Sequence, residues 1–385
     1  MGDVPITIIG AVLLLVSGAA VAFGVMPAAD VLAIGDRVWP ILLFVLAITV
    51  VAELAALAGV FDLASAFLAR LARGRVWLLW LLVVALAVVA TAFLSLDTTA
   101  VLLTPVVIAV ARAHRLDPLP FAFTTVWLAN TASLALPVSN LTNLLAVESF
   151  GGDARSFVAL LGASALIAIG VTVALLWIVF RRRLRGRFSP APGPVIGDRV
   201  LTWCAGGVVV LLLPLLVSGI PPWMPALAAA VVLGVLYAWR FPRALRFSLL
   251  PWQLIVFASG LFLAVGVLES LGAQTVLQAL SGSGDDPVEL WRLSGVGMLG
   301  ANAVNNLPAY LALEGVADSP ARLASLLIGV NAGPLITPWA SLATLLWHER
   351  LRAVGVTVSW GRFALLGLVA APLTVALSVL PLAWR

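Results

Sequence analysis

The chain has 385 residues, 63% of them hydrophobic and 10% charged, far more apolar surface than a soluble domain of this length buries, so it reads as an integral membrane protein. All 22 basic residues are arginine, against 17 acidic residues, and they fall in turns between apolar runs, which removes the case for a nucleic-acid partner. The single cysteine, Cys204, excludes an intrachain disulfide and a multi-thiolate metal site, and no motif asks for a cofactor.

Apolar runs of about 18 residues or more, enough to cross a hydrocarbon core about 30 Å thick, begin near Val4, Pro40, Val76, Pro120, Ser156, Val200, Pro222, Trp252, Ala321 and Ser359. The first run, residues 4–25, lacks a basic leader and a small-residue cleavage motif, so it is read as a retained helix. Arg70, Arg73 and Arg75, Arg112 and Arg115, the cluster 181–187 with Arg199, Arg240, Arg243 and Arg246, and Arg350, Arg352 and Arg362 mark cytoplasmic loops by the positive-inside rule. Arg37, Arg155, Arg292, Arg322 and Arg385 are left outside, which puts the amino terminus in the cytoplasm and the carboxyl terminus outside.

With both flanking arginine groups on one face, residues 76–113 must enter the membrane and return, turning near SLDTT. A re-entrant hairpin is favoured over two full spans, because a polar tip is of more use inside the membrane. Residues 120–147 then form a Pro-interrupted helix, and the N-terminal repeat closes at residue 180. The Arg- and Pro-rich stretch 181–199 is a cytoplasmic linker to a C-terminal repeat over 200–385, in which residues 203–217 are an unpaired extra helix. The second hairpin, residues 290–316, carries NAVNNLP at its tip and follows an acidic loop, so it enters from outside; a second interrupted helix covers 321–348. The expected fold is therefore an all-α polytopic membrane protein of inverted-topology repeats, each with a re-entrant hairpin and a discontinuous transmembrane helix.

The two interrupted helices share a segment: NTASLALPVSNLTNLL from Asn130 and NAGPLITPWASLATLL from Asn331 align without gaps. Asn130 meets Asn331, Pro137 meets Pro338, Asn140 meets Ser341 and Asn143 meets Thr344. Each proline removes a helical hydrogen bond and crowds the preceding turn, and unwound backbone survives in hydrocarbon only when buried in protein or lining a wet cavity. Ser133, Thr337 and the aligned polar residues are candidates to coordinate a small cation or hydrogen-bond a hydroxylated solute.

Asp97 is the one acid at a hairpin tip. A carboxylate deep in the membrane costs about 2.5–3.5 kcal/mol on insertion scales and marks function, and shelter from water favours its protonated form, so Asp97 is the candidate proton-coupling residue. Ser95, Thr98 and Thr99 flank it, and the amide cluster Asn302, Asn305 and Asn306 is its counterpart in the second hairpin. Glu53 and Glu269 sit near span ends, where snorkelling or a structural ion pair suffices. Glu148, Glu314, His114 and His348 lie at loop edges. No HExxH and no pair of catalytic aspartates on spans is present, which argues against a membrane-embedded enzyme.

SLDTTAVLLTP, ANTASLALPVSNLTNLL, NAVNNLPA and GVNAGPLITPWASLATLLW together resemble the arsenite/antimonite efflux permeases of ArsB type, within the ion transporter superfamily. The resemblance implies proton-driven extrusion of arsenite or antimonite from a prokaryotic plasma (inner) membrane. It also implies a homodimer through the scaffold and a soluble arsenic-resistance ATPase as partner. Leu96 stands where such tips often carry Asn, which weakens a sodium site there and leaves more of the burden on Asp97. A sodium/proton antiporter or organic-anion symporter on the same fold is the nearest alternative, although no arginine within the four motifs offers a carboxylate a fixed partner.

Overall fold

The computed structural model describes residues 6–189, 197–271 and 274–384, and within them it is built of helices without a named β-strand. The amino-terminal residues, Arg385, part of the linker and the side chain of Glu269 lie outside what is described, and with them the expectations placed on those groups. Helices dominate because each apolar segment must satisfy its own backbone within lipid. Among the described residues, six helices are long and apolar enough to cross a membrane.

In chain order, α1 (Ile6–Ala22) and the 30-residue α2 (Ala28–Leu57) are followed by the short α3 (Val60–Leu71). The first hairpin goes in on α4 (Val76–Leu94) and returns through α5 (Leu96–Thr98), a π-helical turn (Thr99–Leu103) and α6 (Thr104–Ala113). The first interrupted helix is α7 (Leu119–Thr131) and α8 (Leu141–Ala146), and α9 (Ala154–Phe180) ends this half. The second half contains α10 (Arg199–Leu215), α11 (Trp223–Arg240), α12 (Trp252–Ser270) and the short α13 (Gln274–Ser281). Its hairpin is α14 (Pro287–Val304) with α15 (Asn306–Glu314). Its interrupted helix is α16 (Pro320–Ala332) with α17 (Leu342–Ala353), and α18 (Trp360–Ala383) is last.

Packing repeats between the halves: α1 lies on α12 as α11 lies on α2, α4 packs on α7 as α14 packs on α16, and α9 meets α18. Capping side chains fix where several helices begin. Asp153 accepts from the Ser156 amide at 2.8 Å, Asp198 from Leu201 at 3.1 Å and Ser319 from Arg322 at 3.1 Å, each relieving an orphan N–H at a helix start.

Hydrogen bonds gather the turns onto two opposite faces. On one, the Phe188 amide donates to Gly74 O at 2.8 Å, Arg183 pairs with Asp117, Arg112 donates to Gly355 O at 3.2 Å, and Arg240 pairs with Asp198 at 2.8 Å. On the other, Arg37 pairs with Glu314 and Ser319 donates to Asp285 at 2.5 Å. Arg322, expected in an outer turn, is 1% exposed and donates to Gly282 O at 2.8 Å and Gly284 O at 3.0 Å, tying α16 to the turn before α14. Large side chains exposed along the waist, among them Leu15, Leu166, Leu211 and Leu365, are where a bilayer would lie.

Candidate transport site

Both hairpin tips turn on a residue that is not glycine in a backbone region glycine favours: Ser95 at φ 101°, ψ 159° and Asn305 at φ 133°, ψ 157°. Such strain costs on the order of 1–3 kcal/mol per residue and collects at functional sites. Each residue recoups part of it by capping the returning arm. Ser95 Oγ accepts from the Thr98 amide at 3.3 Å, and Asn305 Oδ1 accepts from Leu307 at 3.3 Å. This match sets Leu96 against Asn306 and Asp97 against Leu307, so the acid has no polar counterpart at its own position. The expected pairing of Asp97 with the amide cluster is corrected on that point.

The first interrupted helix unwinds after Thr131, where Ala132 O accepts from Ala135 in a 3₁₀ turn; a second such turn, Pro137–Ser139, leads to Asn140. In the other copy Pro338 lies within the non-helical stretch between Ala332 and Leu342. Asn140 and Ser341 are both extended, at φ −153° and −144°, and cap the half-helices that follow, with Asn140 Oδ1 accepting from Thr142 at 3.4 Å and Ser341 Oγ from Thr344 at 3.2 Å.

The second hairpin is stapled shut onto its break. Asn302 Nδ2 donates to Met298 O and Gly333 O, both at 2.8 Å, while its Oδ1 accepts from the Ile336 and Thr337 amides, both at 3.1 Å. Thr337 Oγ1 donates to Asn302 O at 2.7 Å, Asn305 Nδ2 to Trp339 O at 2.8 Å, and the Asn306 amide to Ala340 O at 2.9 Å. These residues are brought together as a group, with their polar atoms turned toward one another.

A second network crosses between the copies. Asn331 Oδ1 accepts from Asn140 Nδ2 at 2.8 Å and Thr142 Oγ1 at 2.9 Å, and Asn331 Nδ2 donates to Asn143 Oδ1 at 2.7 Å. Asn143 Nδ2 in turn donates to Ser133 O at 2.6 Å and Leu136 O at 2.9 Å, and Ser133 Oγ to Asn130 O at 2.6 Å. Asn143 and Asn331 are buried, and each side-chain nitrogen and oxygen has a partner. Sequence reasoning sets Thr142 among the polar residues flanking the first break but not among those that bind; its bond to Asn331 places it in this network.

The first hairpin keeps unused polar capacity. Thr98 and Thr99 are held locally, by Ser95 Oγ at 3.1 Å and by Thr91 Oγ1 at 3.0 Å, and Ser139 Oγ joins the hairpin to the break through Ala92 O at 2.9 Å. Buried Asp97 Oδ1 and buried Asn130 Oδ1 have no hydrogen-bond partner. A cavity of about 190 Å³ reaches Asp97 from the arginine-rich side, and Glu53 and Arg350 line it too. Glu53 and Arg350, an arginine outside the four motifs, thus line the same space as Asp97. His348, expected at a loop edge, lies within α17 with its ring stacked on Trp360 at 4.1 Å.

The Citrate transporter family model matches residues 5–346. The chain is 31% identical to the arsenical pump membrane protein of Escherichia coli (strain K12), over 94% of this chain and 88% of that one. To the arsenical pump membrane protein of Yersinia enterocolitica it is 30% identical, over 91% and 87%. Among solved structures the Alcanivorax borkumensis YdaH transporter superposes with a TM-score of 0.58 over 98% of this chain and 97% of that one, at 16% identity, a likeness of fold alone.

Proposed function

Since the chain belongs to the citrate transporter family, and within it stands with the arsenical pump membrane proteins, we propose that it carries arsenite or antimonite out of the cytoplasm in exchange for protons. It is a multi-pass membrane transporter and not an enzyme. The observation that carries the finer reading is Asp97: a carboxylate at a strained hairpin tip, with a buried oxygen lacking a partner, on the wall of a cavity that leads to the arginine-rich face. That face is cytoplasmic by the positive-inside rule, in the inner membrane of a prokaryote.

Arsenite near neutrality is largely an uncharged trihydroxide, which donors and acceptors such as Ser95 and Asn140 suit without thiolates. Release toward the outside with proton uptake at Asp97 draws on the membrane potential, about 2.3 kcal/mol per charge per 100 mV. Alternating access moves the first hairpin, while the hydrogen-bonded second hairpin and the Asn331 tie hold the two interrupted helices together. A homodimer and a soluble ATPase partner belong to the same reading.

One observation favours a second reading. Arg350 in the cavity that Asp97 lines could pair an organic anion, in keeping with the family's name, although Glu53 in the same cavity offsets that charge. Uptake into inside-out vesicles under an imposed proton gradient separates the two. Gradient-driven arsenite or antimonite uptake that is lost in Asp97→Asn is expected. Citrate or sodium uptake with no arsenite signal overturns the substrate assignment, and full gradient-driven uptake by Asp97→Asn removes the coupling role.

A further inference from the structure

Three cavities follow one another along a single face of α2. The outermost, about 320 Å³, lies at the face carrying Glu148 and Asp153 and is lined from α2 by Arg37, Pro40, Ile41 and Phe44. The innermost, about 190 Å³, is lined from α2 by Thr49, Ala52 and Glu53. Between them is a compartment of about 30 Å³ bounded by Phe44, Ile48, Thr49, Ser95, Asp97 and Asn140. Residues 41, 44, 48, 49, 52 and 53 recur at the spacing of one helical face. From Arg37 to Glu53 that face is about 24 Å long, most of a hydrocarbon core.

The walls are shared in sequence. Thr49, Asp97 and Leu254 belong to both the innermost and the middle space, so solute at the middle space is in reach of the acid. Phe44 and Leu144 belong to both the middle and the outermost space. These two are 2% and 8% exposed, apolar, and contributed by opposite walls, α2 and the second half of the first interrupted helix. A hydroxylated solute passing them meets no hydrogen-bonding side chain, and shedding its bonds to water there costs several kcal/mol.

We propose that solute crosses along this face of α2, and that Phe44 with Leu144 is the barrier that closes the path and limits the size of what passes. The path runs beside the first interrupted helix instead of between the two copies, whose facing amides are tied to each other through Asn331. The inference rests on the chain being a secondary transporter but not on which solute it carries.

The test uses full-length protein with Cys204→Ser, which removes the sole cysteine, and a reporter thiol at Thr49→Cys. In sealed vesicles at 4 °C, without solute or gradient, a membrane-impermeant charged methanethiosulfonate is added from one side at a time. Labelling from the arginine-rich side at least tenfold faster than from the other side is expected. Adding Phe44→Ala or Leu144→Ala should raise the slow rate at least tenfold. Phe44→Leu should give a smaller rise in case the alanine variant folds poorly. Phe67→Ala, on an exposed face of α3, should leave the rate unchanged. Equal labelling from both sides with Phe44 in place, or a slow rate indifferent to Phe44 and Leu144, overturns the path. Because labelling needs no solute, a failed arsenite assay with gated labelling refutes the substrate alone.

Discussion

Asn130 and Asn331 occupy the same place in the duplicated segment, yet their removal should have very different consequences. Asn331 makes three side-chain hydrogen bonds across the interface of the two interrupted helices, to Asn140, Thr142 and Asn143. Interhelical bonds in a bilayer average about 0.6 kcal/mol and reach about 1.7, so losing three costs about 2–5 kcal/mol. The amides of Asn140 and Asn143 are buried, and stranding them pushes the loss toward the upper end. Asn130 donates only to Val126 O, at 2.9 Å within its own helix, so Asn130→Ala should cost under about 1 kcal/mol. Denaturant titration of the purified variants in mixed micelles reads both values. Losses equal within about 0.5 kcal/mol, below the smallest difference this network implies, would refute an asymmetric tie. In a double-mutant cycle, Asn331→Ala with Asn143→Ala should lose less than the two single changes added together, because the pair shares one bond.

Two further outcomes follow from other parts of the fold. A methyl group at Gly329 would meet Ser294 O at 2.2 Å, so Gly329→Ala must part α14 from α16 and should destabilise by about 1–3 kcal/mol or more, whereas Gly170 faces open space and Gly170→Ala should gain about 0.5–1 kcal/mol; thermal melts of the two that shift in the same direction would contradict the packing. The Asp198 carboxyl is held below its usual range first by the Arg240 guanidinium at 2.8 Å and then by the Leu201 amide at 3.1 Å. Its folded value is the lower one, so its stabilisation is complete above about pH 3.9 and fades as pH falls through the lowered folded value. Melting temperatures of the parent and Asp198→Asn should differ at pH 7 and converge in acid. A gap that persists unchanged to the lowest pH would mean the side chain does not act through its charge.

How far the sequence led depended on whether a residue's role is local. Proline alone does not mark a break, since Pro40, Pro214, Pro372 and Pro381 lie inside continuous helices; it was the register of the copies, with polar residues around Pro137 and Pro338, that located both breaks. Arginine placement likewise marked the turns that the structure gathers on one face. The positive φ at Ser95 and Asn305 had no such signature, because glycine would be the usual mark of that backbone and neither tip has one. Residue type announced that Asn302, Asn331 and Asn143 carry donors and acceptors; only the three-dimensional arrangement shows that they use them on one another. The burial of Arg322 was hidden for a related reason: Asp318, four residues before it and 3.2 Å away, reads as an ordinary surface ion pair, while the carbonyls of Gly282, Gly284 and Val316 that receive its other N–H groups leave no trace in a sequence. Glu53 lies near the end of α2, as its position in the run suggests; that it lines the same cavity as Asp97 shows only in the fold.

Two differences between the copies account for why one half is tied shut and the other is not. The first carries Asn140 and Asn143, whose amides are long enough to reach Asn331 across the interface. The second carries Ser341 and Thr344, whose short hydroxyls meet each other at 3.0 Å, with Ser341 Oγ also taking the Thr344 amide, and form no bond across the interface among the described residues. Asn130 therefore receives nothing from the copy opposite, and its buried Oδ1 is left without a donor, as is Oδ1 of Asp97 on the neighbouring hairpin. An unmet buried acceptor costs about 1–3 kcal/mol, a penalty a native structure keeps only where something else offsets it. At Asp97, which lines two of the cavities, a solute rich in hydroxyl donors, or a proton, can do so; Asn130 lines none of the three cavities. Duplication has thus let the two interrupted helices brace one another through Asn331, while the first hairpin keeps Asp97 for what passes.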